Sequence, residues 1–197
     1  HTRQIYDYMI RKIVLFILIL PFLTNGHSQG LQQLSLSINS EAIGLPFSNY
    51  SPIHPGIEIS GSLKRNEKDR SIRYLNLKAG FFHHERLENA IYLGGEYQYS
   101  QKLFGGKMSL DVPMGLGYLH SFYPGELYEQ NEAGDFETIS QAGRSHLYVN
   151  LGVGLTFLPQ SKVQPFIRQE LMLETPFANG IPVIPHSLLK VGIQLKL

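Results

Sequence analysis

From Leu34 onward, apolar and polar side chains alternate with a period of two in segment after segment. Alternation of this kind sends successive side chains to opposite faces of an extended strand. Leu189, Val191, Ile193, Leu195 and Leu197 oppose Lys190, Gly192, Gln194 and Lys196, and Leu147 to Phe157 and Met108 to Tyr118 split in the same way. Four more segments run near 34–39, 57–64, 74–82 and 91–99, and a noisier one spans Gln164 to Glu174. Eight strands of about ten residues result, the length that crosses a bilayer on a tilt. Their connections alternate too. Long ones fall near 42–55, 83–89, 120–145 and 174–187, and shorter ones near 65–71, 101–107 and 158–162. An even strand count with long loops at one end predicts an all-β, eight-stranded antiparallel up-and-down transmembrane barrel over 29–197.

A soluble ligand-binding barrel also alternates, with its apolar face inward, so composition and position must choose the face. Only 17% of residues are charged, against about 25% in soluble domains, too few for a large solvated surface. Gly80, Gly94, Gly115, Gly117, Gly152, Gly154 and Gly192 all lie on the polar face, where they make room if that face is a crowded lumen and only weaken a strand if it is solvated. Phe81 and Tyr118 toward the long loops, and Tyr97, Tyr99 and Phe157 toward the short turns, form two girdles on the apolar face. Lipid interfaces favour such girdles. The chain also stops on a strand, with apolar Leu197.

Met9 to Ser28 read as a secretory signal peptide. Arg11 and Lys12 precede an apolar run from Ile13 to Leu20, and Gly26 and Ser28 are the small residues before a mature start at Gln29. Residues 1–8 lie upstream and carry no fold information. Zero Cys excludes disulfides and thiolate chemistry, and 17 Lys+Arg against 16 Asp+Glu give no electrostatic reason for a nucleic-acid partner.

With this signal peptide, this strand count and the terminal strand from Leu189 to Leu197, residues 32–197 resemble the small outer-membrane β-barrel superfamily of the outer-membrane protein A and X type. That family usually ends in Phe or Trp, where this chain has Leu197. The resemblance implies location in the outer membrane of a Gram-negative bacterium, contact with its lipid and lipopolysaccharide, and assembly by the barrel insertion machinery. It implies no single activity. A structural or surface-interaction role through four extracellular loops is expected, with a surface protein as a further partner and no cofactor.

On the lumen face the alternation places Glu58, Lys64, Lys78, Glu96, Asp111, Arg168, Glu170, Lys190 and Lys196, with Tyr74, Tyr92 and Tyr148 among them. Eight strands enclose only enough space for side chains, so these charges are expected to pair with each other. His54, His83, His84, His120, His146 and His186 all fall at the long-loop end and are expected to form an extracellular rim. No HxH or HxxxH spacing supports a metal site within one strand, and no saturable zinc binding is expected. The acids at 126, 129, 132, 135 and 137 lack the tight oxygen spacing of a calcium loop. Barrels of the lipid A deacylase type carry a His-x-Ser pair on one strand face. Here His120-Ser121 and Ser145-His146 are each split across two faces, although Ser145 and His120 could meet across the hairpin, and no catalytic residue is expected.

Overall fold

A computed structural model describes residues 30–47, 50–130, 134–139, 142–177 and 180–197. The proposed signal peptide lies outside them. Eight long strands, β1 (Gln33–Ile43), β2 (His54–Lys68), β3 (Ser71–His83), β4 (Asn89–Leu103), β5 (Met108–Phe122), β8 (Arg144–Phe157), β9 (Val163–Thr175) and β10 (Ile184–Lys196), pair antiparallel with their chain neighbours. Closure comes from β1 on β10, where Gln33 faces Lys196 and Ile43 faces His186. The two remaining strands, β6 (Leu127–Gln130) and β7 (Phe136–Ile139), form a separate hairpin within the longest loop.

The wall is inverted relative to a soluble protein. Ile38, Leu77, Ile91, Leu93, Leu116, Val149, Leu151, Val153 and Val191 point outward and are exposed, whereas Glu58, Glu96, Glu170, Lys78 and Lys190 are buried. An apolar belt of this extent on every strand has a stable setting only in lipid. The lumen glycines are where the interior leaves no space for a Cβ. A methyl on Gly94 would collide with the Tyr148 hydroxyl, one on Gly80 with the Tyr92 ring, and one on Gly152 would stand 2.7 Å from Cγ of Glu170.

Strands run further and loops shorter than the sequence pattern predicts. β2, β4 and β5 each hold 15 residues, several more than the 9–11 or so that span the hydrocarbon. Their outer ends project past the lipid, where outward positions no longer need to be apolar and the alternation fades. That is why 54–55, 120–122, 144–145 and 184–187 read as loop in sequence. The expected loop at 120–145 is likewise corrected, since it carries the β6–β7 hairpin. On the outer wall, the Tyr50 hydroxyl donates to Gln169 Oε1 (2.5 Å) and meets Ser187 Oγ (2.8 Å), so the 44–53 loop covers two polar side chains that would otherwise face outward.

Candidate functional site

The lumen contains two polar layers. The deeper one is an ion-pair network. Lys190 Nζ lies 2.6 Å from Glu58 and 2.8 Å from Glu170, and Lys78 Nζ lies 2.7 Å from Glu96 and 3.0 Å from Glu170. Arg168 reaches Glu96 at 3.4 Å and donates to Gln98 at 2.9 Å, while Asn76 and Asn150 donate to Glu96. Three carboxylates thus meet two ammonium groups and a guanidinium, all buried. Desolvating six charges is tolerable only with such pairing. Asp111 stands apart, accepting from Ser109 (3.0 Å) and Thr156 (2.5 Å).

Above this network Tyr92 donates to Glu58 (2.8 Å) and packs toward Phe82 and Tyr148. With Leu119, Met172 and Leu188 these rings form the apolar cluster of the lumen. Phe82 in turn contacts the His186 ring, at 5.3 Å between centroids. There the second polar layer begins, at the long-loop end. His186 Nδ1 lies 2.8 Å from Glu41 Oε1, and its Nε2 lies 3.1 Å from Glu174 Oε2 and 3.7 Å from Glu88 Oε1. His146 Nδ1 lies 3.0 Å from Glu174 and 2.6 Å from the Pro176 carbonyl, and its Nε2 meets Ser121 Oγ at 3.0 Å. His54 and His84 stack at 3.7 Å beside Glu41. All seven titratable side chains are buried. Burial, and the Glu174 carboxylate beside it, push the Glu88 carboxyl up to about 7.

On the outer face of the wall, Ser145 and His120 are direct cross-strand partners between β8 and β5. The Tyr118 hydroxyl stands between them, 3.0 Å from His120 Nδ1 and 2.8 Å from Ser145 Oγ, and His120 Nε2 meets the Ala142 carbonyl at 3.2 Å.

No protein-family model matches the chain, and no curated protein is similar to it in sequence. Solved structures are similar in shape. Neisserial surface protein A superposes over 88% of this chain and 100% of its own, at 9% identity and a TM-score of 0.54. The fold is that of the small outer-membrane barrels. The outer membrane enzyme PagL (84% of this chain, 99% of that one, 8% identity, TM-score 0.49) and the Ail protein of Yersinia pestis (84%, 100%, 14%, 0.46) are further structures of similar shape.

The barrel brings together most of the residues that the alternation assigned to the lumen, with two differences. Lys196 shares the face of Lys190 but ends β10 at the short-turn mouth, where it is exposed, so it is no part of the network. The side chain of Lys64 lies outside the described residues. The histidine rim is also corrected. His54, His146 and His186 fall on lumen positions and sink into the mouth with His84, whereas His83 and His120 stay outside the cluster, His83 meeting Asn89 Oδ1 at 2.5 Å. Sequence reasoning missed Glu41, Glu88 and Glu174. Glu41 follows Asn39 just past the predicted end of its strand, and Glu174 follows Met172 as the last residue of the predicted Gln164–Glu174 segment, so carrying the two-residue step to the strand ends and beyond would have found both. Glu88 lies in a loop and carries no such signal.

Proposed function

We propose that this outer-membrane barrel serves a Gram-negative cell as a structural and surface-interaction protein, working through its extracellular loops. The observation that carries the reading is the neutral, fully paired deep layer. A lumen closed by three glutamates against three bases offers no passage for a solute, which leaves the loops as the chemical surface. Those loops expose Phe47, Ile53, Tyr128, Phe136 and Ile181, apolar side chains that suit a protein partner or the acyl groups of lipopolysaccharide. Lipid surrounds the belt, and assembly would use the barrel insertion machinery. To test this, residues 124–142 are replaced by a short Gly-Ser linker. The shortened protein should still fold, by circular dichroism in detergent, but lose binding to lipopolysaccharide and to the cell surfaces that the intact protein binds. Unchanged binding would contradict the reading.

One observation favours a second reading, a lipid-modifying hydrolase. Ser145, Tyr118 and His120 form a hydroxyl-imidazole chain on the outer face of the wall, at the long-loop end. Both His120 nitrogens have other partners, so Ser145 lacks the directly bonded base that acyl transfer needs. Mass spectra of lipid A from cells with the intact protein and with Ser145→Ala decide it. Identical spectra would dismiss the hydrolase.

A further inference from the structure

The upper layer is short of cations. Among the described residues, Glu41, Glu88 and Glu174 form ion pairs with imidazoles alone, and an imidazole compensates a carboxylate only when it carries a second proton. Within the layer, Glu88, Glu174 and His186 each offer one ligand atom within 4.8 Å of the other two. Glu88 Oε1 is buried and makes no hydrogen bond, in a side chain only 4% exposed. A buried carboxylate oxygen left without a donor is costly, and this one is aimed at a histidine nitrogen and a second carboxylate.

We propose that Glu88, Glu174 and His186 form a binding site for a first-row divalent transition ion, with zinc as the reference metal. Three features of the geometry support it. Ligand atoms bound at about 2.0–2.1 Å in a tetrahedron stand about 3.3 Å apart, and the 3.1 and 3.7 Å separations from His186 Nε2 bracket that value. Glu41, accepting at 2.8 Å from His186 Nδ1, holds the ring in the tautomer that presents a lone pair at Nε2, the outer-sphere carboxylate that metal-binding histidines commonly have. A cavity of about 310 Å³ at the loop side, lined by Ser121, Phe122, Arg144 and Phe177 among others, touches the site at Glu88. One nitrogen with two carboxylates suits zinc and its neighbours better than calcium or magnesium, which take oxygen ligands. The neighbouring Glu41, His54 and His84 fit less well. Their two imidazoles stack face to face, and Glu41 is engaged by His186. Ligands drawn from β9, β10 and the 84–88 loop would tie that loop to the mouth of the barrel.

The test is calorimetric titration of zinc chloride into the intact refolded barrel in detergent at pH 7.5, after exhaustive chelation. The proposal expects saturable binding of one ion at micromolar affinity or tighter. Glu88→Gln, a near-isosteric change in a loop, should weaken it more than about tenfold, and so should His186→Ala. Glu41→Gln should weaken it about tenfold, in the range seen for outer-sphere partners. His83→Ala, outside the cluster, should leave it unchanged. Circular dichroism of each variant confirms that the barrel has formed. If the intact protein shows no saturable binding, or if Glu88→Gln binds as tightly as the intact protein, the proposal fails. It fails equally if His54→Ala abolishes binding while Glu88→Gln does not, since that would move the ion to the other cluster.

Discussion

The two polar layers of the lumen use the same acid and different bases. In the deep layer Glu58, Glu96 and Glu170 meet the ammonium and guanidinium groups of Lys78, Lys190 and Arg168. In the upper layer the bases that Glu41, Glu88 and Glu174 meet, among the described residues, are histidines. Between them stand Phe82, Tyr92, Tyr148, Leu119, Met172 and Leu188. Each layer is buried to a similar degree, so burial does not separate them. The deep layer has an internal counter-charge for every carboxylate and closes the barrel. The upper layer depends for its balance on protons or ions that arrive through the mouth, and that dependence makes it the chemically responsive end.

The largest expected effect lies in the deep layer. Glu170→Ala removes the carboxylate that Lys78 and Lys190 share and leaves both buried cations short of a partner, at a cost of about 3–5 kcal/mol in reversible unfolding from lipid vesicles. A loss near zero would mean that water compensates them and that the layer is no plug. Next comes the wall, because both layers are internal only if its faces are correctly assigned. Val153→Arg puts a charge on the lipid side and should cost about 2–4 kcal/mol and slow insertion. Unimpaired assembly would invert the barrel. Smaller still is the effect expected of Glu174→Ala in metal-free protein. Its partners are imidazoles, which can be neutral, and His146 keeps the Ser121 hydroxyl and the Pro176 carbonyl, so about 1–2 kcal/mol is expected. A loss as large as that for Glu170→Ala would erase the distinction between the layers.

The same contrast explains which parts of the molecule were legible in the sequence. Across the hydrocarbon, lipid demands apolar side chains outside and the narrow lumen demands polar or small ones inside, so Leu147 to Phe157 announce their faces residue by residue. Glu58, Lys78, Glu96, Asp111, Arg168, Glu170 and Lys190 take lumen positions by the same two-residue step. Beyond the lipid only the inner face stays constrained. Glu41, His54, Glu174 and His186 keep their lumen positions there, but they sit among outward neighbours such as Ser40 and Ser187 that no longer mark the strand as half apolar. Glu88 was illegible for another reason. It reaches the cluster through the turn of the 84–88 loop, where Leu87 N–H donates to the His84 carbonyl (3.1 Å) and His84 N–H to the Glu88 carbonyl (2.9 Å). No periodic pattern encodes a loop of that kind.

That the deep layer closes the lumen is tested most directly by electrical recording from the purified protein in a planar bilayer. An eight-stranded barrel filled by Lys78, Arg168, Lys190 and their three glutamates should insert without producing conductance steps, at neutral pH and at either polarity. Discrete, reproducible steps from protein shown to be monomeric and folded would mean that ions pass the network, and they would contradict the closed-lumen account.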